Sequence, residues 1–415
     1  MVEDAVDTDK SVSPISKKSQ EIVDITKLES LNVGTFGHID HGKTTLVSKL
    51  TGKWTDTHSE ELKRGITIKL GYADAILRKN KESYGIKEGT PFRYLSFVDA
   101  PGHEMLMAIM LSGAAIIDVA LLVVAANEGI KPQTREHLIA LQAKGIKNIV
   151  IIQNKIDLVT KEQAKKNYDE IKAFVKGSIA ENSQIIPVSA QQDVNIDMIF
   201  QVLGEIKIPS RDDKGDSEFL IARSFDINRP GTLARDIHGG VLGGALKKGK
   251  LKIGDLIEIK PGKLVKRENQ TFYETIKTKI VSIYKGSYAI DEVGPGGSIA
   301  LETELDPSLT KADLLSGCIA GIKIPEPKSN IKIKSKLFDK VVGGDERLVD
   351  AIKATELLML SINTSTTVGF VRKIKGSEIE LDLKIPVVPL KGESVGIARN
   401  IGGHWRLIGF GELVD

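Results

Sequence analysis

Between residues 30 and 208 short apolar runs alternate with amphipathic stretches. The runs at 31–36, 94–98, 118–125, 148–153 and 184–189 read as buried strands. Of the stretches between them, 43–50 has a helical pattern and stops at Gly52, a glycine suited to a helix end. The stretch 132–144 has Pro132 in its first turn and Gly145 just past its end, a start and stop pair for a second helix. Strands alternating with helices predict a parallel sheet covered on both faces.

The pattern changes near residue 209. The charged, polar segment 209–216 reads as a linker. Beyond it, apolar runs are short and turn signals crowd together at 228–231, 239–240, 243–244, 261–262 and 294–297, an all-β texture. Ile324-Pro325-Glu326-Pro327 marks a second break. After it, 331–338, 357–363, 369–374, 378–383 and 405–410 read as strands. The fold class expected is an α/β domain at 28–209, followed by two all-β barrel domains at 217–324 and 328–415. Residues 1–27, rich in Asp, Ser, Lys and Glu, read as a flexible extension; a sharper alternative is a partner-binding or sheet-edge segment near 21–28.

Bulk composition narrows the class without choosing the chemistry. The 415 residues exceed one ordinary core. The net charge of +3 leaves any nucleic-acid surface to local placement. Lys247, Lys248, Lys250 and Lys252 form one such basic run, read as a solvated face with RNA contact as the alternative. The single cysteine, Cys318, excludes an internal disulfide framework and fits a reducing, cytoplasmic setting. The longest apolar run, 119–126, falls far short of the roughly 20 residues of a membrane span. His38, His41, His58, His137, His238 and His404 have no metal-like spacing. Met105, Leu106, Ile109 and Met110 lie at helical spacing and read as core.

Four motifs carry chemistry. Gly37-His38-Ile39-Asp40-His41-Gly42-Lys43-Thr44 matches the phosphate-loop pattern and lies between an expected strand and an expected helix. Its glycines let backbone N–H groups converge on phosphate oxygens, and Lys43 supplies charge. The Thr44 hydroxyl is a magnesium ligand, and the helix N-terminus favours an anion. Asp40, His41, Gly42, Lys43, Thr44 and Thr45 are thus the candidate phosphate contacts. Asp99-Ala100-Pro101-Gly102-His103 ends an apolar strand, where Asp99 can reach magnesium through water. Gly102 can offer its N–H to a γ-phosphate, and the His103 imidazole can orient an attacking water. Asn154-Lys155-Ile156-Asp157 ends another strand; the Asp157 carboxylate can accept from guanine N1–H and the 2-amino group, a donor pair adenine lacks. Ser189-Ala190-Gln191 can support the base through backbone N–H groups. Arg64-Gly65-Ile66-Thr67-Ile68 supplies Thr67 as a second magnesium ligand from a loop.

With these motifs placed, the sequence resembles the translational GTPases. Finer motifs resemble the gamma subunits of archaeal and eukaryotic translation initiation factor 2. These are His58-Ser59-Glu60-Glu61-Leu62-Lys63-Arg64-Gly65-Ile66-Thr67-Ile68-Lys69-Leu70-Gly71-Tyr72-Ala73, Ser224-Phe225-Asp226-Ile227-Asn228-Arg229-Pro230-Gly231-Thr232, Leu305-Asp306-Pro307-Ser308-Leu309-Thr310-Lys311-Ala312-Asp313 and His404-Trp405-Arg406-Leu407-Ile408-Gly409-Phe410-Gly411. The resemblance runs from about residue 28 to the C-terminus.

It implies a GTPase with GTP or GDP and Mg2+ as ligands, a heterotrimer with alpha and beta subunits, and delivery of methionylated initiator tRNA to the small ribosomal subunit. It implies alpha on the second domain, beta on the nucleotide domain, and the tRNA acceptor end between those two domains near Tyr72. It also implies a second magnesium position near Asp40 and Gly65, and hydrolysis held slow by Ile39 and Ile66 fencing His103 until the ribosome acts. Family members usually carry a knuckle of paired cysteines after the switch loop; 77–91 contains none, so a loop is expected there and no zinc. Two other functions compete: an elongation-type tRNA carrier, separable by its tRNA preference and lack of alpha and beta partners, and a non-translational GTP sensor.

Overall fold

The computed structural model describes residues 23–55, 67, 69–103, 107–268, 270–339, 341, 348–390 and 392–414. Most of the extension expected at 1–27 therefore lies outside the described residues, as do Gly65, Ile66, His58, Met105 and Leu106. Its described end is a single turn of 3-10 helix at Ile25–Lys27, capped by Asp24 and anchored by buried Ile25, in place of a strand at the sheet edge.

The first unit is built on β1 (Glu29–Gly37), β2 (Gly71–Asn80), β3 (Ser83–Gly85), β4 (Thr90–Asp99), β5 (Val119–Ala125), β6 (Asn148–Asn154) and β7 (Ile185–Pro187), in the order β3-β2-β4-β1-β5-β6-β7. Its helices are α1 (Lys43–Thr51), α2 (Met107–Ala114), α3 (Pro132–Ala143), α4 (Lys161–Val175) and α5 (Ile196–Glu205). Side chains alternate between the two faces. Leu31, Val33, Leu121 and Val123 pack with Leu46 and Leu50 of α1 and Phe200 of α5. Ala120, Leu122 and Val124 pack with Met110, Leu138 and Ile171 on the opposite face. Both faces are therefore covered, which explains why the strands read as continuous apolar runs. Met110 is in that core and Ile109 packs against it.

The sheet is not wholly parallel. β4, β1, β5, β6 and β7 run parallel, but β2 and β3 form an antiparallel flap on β4. The sequence pattern hides β2 because its inward positions include only the small Ala73 and Ala75 before Leu77. The loop expected at 77–91 is instead the β2–β3 hairpin and the start of β4.

The second unit contains β8 (Glu218–Phe225), β9 (Val241–Lys248), β10 (Leu251–Lys252), β11 (Leu256–Arg267), β12 (Gln270–Lys285), β13 (Tyr288–Ile290), β14 (Glu292–Val293), β15 (Ile299–Thr303) and β16 (Ile319–Gly321). The ring β11-β16-β8-β9-β15-β12 closes through the β11–β12 pairing. Two expected turns lie inside strands: Gly243 and Gly244 in β9, and Pro261 and Gly262 in β11 at a shift of register. The third unit is a closed six-stranded barrel, β17 (Lys328–Leu337), β18 (Leu357–Ile362), β19 (Ser365–Lys375), β20 (Glu378–Val387), β21 (Ser394–Ile401) and β22 (His404–Val414). β21 had no counterpart among the expected strands.

The units share an apolar cluster, in which Leu220 and Ala222 of the second and Val388, Leu390 and Leu407 of the third join Met110 and Leu111 of the first, and polar contacts tie them further. Lys285 Nζ donates to Ser30 Oγ at 2.5 Å, and Gly297 N–H to Asn32 Oδ1 at 2.7 Å. Arg211, in the expected linker, pairs with Asp118 at 2.6 Å, so that segment is fastened down. Lys247, Lys248, Lys250 and Lys252 each face a carboxylate, of Glu393, Asp212, Asp213 or Glu292, so the basic run is internally neutralised.

Candidate functional site

In an open parallel sheet, ligands gather where the strands' C-terminal ends meet the following helices. Here β1 delivers the Gly37–Thr44 loop, β4 delivers Asp99, and β6 delivers Asn154, all at the same edge. The register places Thr35 beside Asp99, and Ala125 beside Asn154. The cavity at this edge, about 360 Å³, is lined by Ile39, Asp40, Gly42, Lys43, Thr44, Thr45, Trp54, Thr67, Gly102, His103 and Lys155.

The loop's geometry is set from several sides. Gly42 has φ +87°, and a Cβ there would lie 2.4 Å from Asn154 Nδ2. A Cβ on Gly102 would lie 2.6 Å from Lys43 Nζ and 2.9 Å from the Ile39 nitrogen, so Gly102 is glycine because the loop passes against it. Lys43 Nζ donates to the His38 carbonyl at 2.8 Å, curling back over the loop. No side chain caps α1; the N–H groups of its first turn and its dipole are thus available to an anion. The Gly37 N–H donates to Nδ1 of His137 at 2.7 Å, which fixes the imidazole as the Nε2–H tautomer. Burial holds the His137 pKa down at about 3.

His41 enters the site through its backbone alone. Its side chain is fully buried, with Nδ1 3.2 Å from the Val123 carbonyl, and burial pushes its pKa down to about 3. The carbonyl of His41 accepts from Asn154 Nδ2 at 2.9 Å, while Asn154 Oδ1 accepts from the Ala190 N–H at 3.0 Å. Asn154 is thus a strut between the phosphate loop and the loop after β7. The Ala190 N–H is spent on that strut and the Ser189 N–H on the Val194 carbonyl, so neither is free to support a base. Gln191 is exposed. Lys155 has a left-handed φ of 60° and lines the cavity, and Asp157 is exposed in the short 3-10 turn Ile156–Leu158.

The oxygen donors converge below the loop. Thr44 Oγ1 donates to Asp99 Oδ2 at 2.7 Å and lies 3.0 Å from Thr67 Oγ1. Adjacent ligands of an octahedral ion bound at about 2.1 Å stand about 3.0 Å apart, so the hydroxyl pair fits Mg2+. Asp99 is fully buried and also accepts from Thr35 at 2.6 Å and Thr55 at 2.9 Å. Hydroxyl and carboxylate oxygens are the hard donors such an ion selects. Asp40 borders the same cavity, whereas Gly65, expected beside it, lies outside the described residues. His103 lines the cavity with Lys43 and Ile39.

Trp54, Thr35 and Thr55 were not legible as site residues. They belong to no motif, and tertiary folding alone carries them to Asp99 and the cavity. Tyr72 is half-buried, packing against the core with its hydroxyl buried.

Comparisons with known proteins agree with this geometry. The profile described as elongation factor Tu GTP binding domain matches residues 28–209, and that described as initiation factor eIF2 gamma, C terminal, matches 329–413. Translation initiation factor 2 subunit gamma of Methanococcus vannielii is 50% identical over 402 residues, covering 92% of this chain and 98% of that protein. Its counterpart in Methanocaldococcus jannaschii is 47% identical, covering 96% and 100%. Among solved structures, a bacterial selenocysteine-specific elongation factor superposes with TM-score 0.75 at 24% identity, over 93% of this chain and 58% of that one. Elongation factor SelB of Methanococcus maripaludis, in complex with a GTP analogue, gives TM-score 0.71 at 24% identity, over 94% and 79%. These structural likenesses bear on the fold.

Proposed function

The chain belongs to the family of gamma subunits of translation initiation factor 2, a family of GTPases, and we propose that it carries methionylated initiator tRNA to the small ribosomal subunit while GTP and Mg2+ are bound. The observation that carries this reading is a set of contacts leading from the cavity to the second unit. Thr67 reaches Thr44, and the next described residues, Lys69 and Leu70, are tied across the seam. Lys69 Nζ pairs with Asp313 at 2.7 Å; Arg223 donates to Asp313 at 2.8 Å and to the Leu70 carbonyl at 2.9 Å. A nucleotide that orders Thr67 therefore shapes the cleft where the tRNA end is expected, and tRNA in that cleft favours the same nucleotide state.

Within the cavity, Lys43 and the α1 N–H groups hold the phosphates. Thr44 and Thr67 would hold a magnesium ion, with Asp99 orienting Thr44, and the ion would supply charge neutralisation at the phosphates. Asp157 reads guanine, and Lys155 borders the cavity beside it. His103 orients the attacking water, and Ile39 screens it until the initiation complex forms. On this reading the chain assembles with alpha and beta subunits, alpha on the second unit and beta on the nucleotide unit, in the cytoplasm. No helix of the described residues is long and apolar enough to cross a membrane.

The test is binding of initiator and elongator methionyl-tRNA, side by side, to the chain complexed with alpha subunit and a non-hydrolysable GTP analogue. Preference for the initiator species supports the reading. Equal binding of both would point to an elongation-type carrier.

A further inference from the structure

Trp54 is 52% exposed, yet it lines the nucleotide cavity, as do Thr44, Thr45 and Thr67. An indole open to water forgoes much of what its large apolar surface gains on burial. The residues on either side are fastened. Lys53 Nζ donates to Asp74 on β2 at 2.8 Å, and the buried Thr55 hydroxyl donates to Asp99 at 2.9 Å. Gly71 lets this segment approach the sheet, since a Cβ there would lie 2.7 Å from Thr55 Cβ. The two anchors hold the indole in the cavity wall while it remains half open to solvent. Thr44 and Thr45 of the first turn of α1 line the same cavity. Asp157, the group proposed to distinguish bases, is not among the residues lining the cavity.

We propose that Trp54 is a nucleotide-retention residue, whose indole lies over the sugar–phosphate side of a bound guanine nucleotide and slows its escape. This rests on the guanine-nucleotide reading above. Binding covers the exposed ring, so the apolar area left open in the free protein is removed from water only when ligand is present. The retention acts on GDP and GTP alike and leaves base choice to Asp157.

The test is the dissociation rate of a fluorescent GDP from the full chain, its Trp54→Ala and Trp54→Phe variants, chased with unlabelled GDP. Trp54→Ala releases GDP about tenfold faster, equivalent to about 1.4 kcal/mol; Trp54→Phe stays near the parent rate, and guanine remains preferred over adenine in all three. Thermal unfolding confirms that each variant is folded. In a Trp405→Phe background, leaving Trp54 as the sole tryptophan, emission changes when unlabelled GDP binds. A folded Trp54→Ala protein that releases GDP within twofold of the parent overturns the proposal, as does a single-tryptophan protein that binds GDP with unchanged emission. A parent chain that fails to bind GDP retires the nucleotide reading itself, a result distinct from either.

Discussion

Asp157 and Asn154 lie three residues apart and do different work. Asn154 is 2% exposed and spends its amide on the His41 carbonyl and the Ala190 N–H. Asp157 stays in solvent, available to a ligand. Replacing Asp157 with Asn removes a charged acceptor facing two donors, a loss of about 1.5–3 kcal/mol, or roughly ten- to a hundredfold in GTP affinity. The same change should improve binding of xanthosine triphosphate, whose ring complements an amide. Competition of both nucleotides against labelled GDP checks it, and undiminished GTP binding would remove Asp157 from the site. Two buried histidines predict a pH effect. His41 and His137 are pushed by burial to about 3, below the ordinary value of 6.5. Below pH 6.5 the unfolded chain takes up their protons and the folded chain does not. Stability is therefore fully present above about 6.5 and declines toward pH 3, each histidine contributing a slope of up to about 1.4 kcal/mol per pH unit. Urea midpoints at pH 7.5 and 5.0 measure it; equal midpoints would mean that neither imidazole is held neutral. The motif residues were legible because glycines and charged groups at strand ends have few structural uses in such patterns. Trp54 and Thr55 were not, because a single residue outside a motif acquires a role only from what folding brings to it.

At the scale of elements, α3 joins two parts of the molecule. His137 accepts from the phosphate loop, and its neighbour Glu136, 1% exposed, pairs with Arg406 on β22 at 2.6 Å. One end of the helix is tied down as well. Ser394 donates to the Ala143 carbonyl, and Lys144 donates to the carbonyls of Ser361 and Ser394 at 3.3 and 3.4 Å, with burial lowering its pKa to about 7. Arg406→Ala leaves the Glu136 carboxylate buried without that guanidinium, a change that costs about 3–5 kcal/mol when a buried pair is broken. Calorimetry should show a lowered unfolding temperature; an unchanged one would mean that solvent already screens the pair. The sequence marked α3 through Pro132 and Gly145, but not its second buried face. A helical period reports that a face is covered only when it is apolar, and here a charged residue meets a charge from another unit. β2 escaped for a related reason: its inward positions Ala73 and Ala75 carry little apolar signal, whereas β21 sends only Val395 and Ile397 into the barrel core, separated by Gly396.

Across the whole molecule, one apolar cluster links the nucleotide unit to both barrels, with Leu220 and Ala222 of the second unit and Val388, Leu390 and Leu407 of the third joining Met110 and Leu111, and polar contacts add to it. The seam with the second barrel includes Lys285–Ser30, Ser96–Ser298 and the Lys69–Asp313–Arg223 set. The last of these stands two residues from Thr67, so the cleft between nucleotide unit and second barrel and the nucleotide cavity share one short segment. On the proposed reading, a γ-phosphate with Mg2+ would favour the arrangement with Thr67 against Thr44, and GDP would lack that contact. The most direct measurement is the affinity of methionylated initiator tRNA for the chain with its alpha subunit, compared between a non-hydrolysable GTP analogue and GDP. At least tenfold tighter binding with the GTP analogue, about 1.4 kcal/mol of coupling, is the predicted result; equal affinity in the two nucleotide states would contradict it.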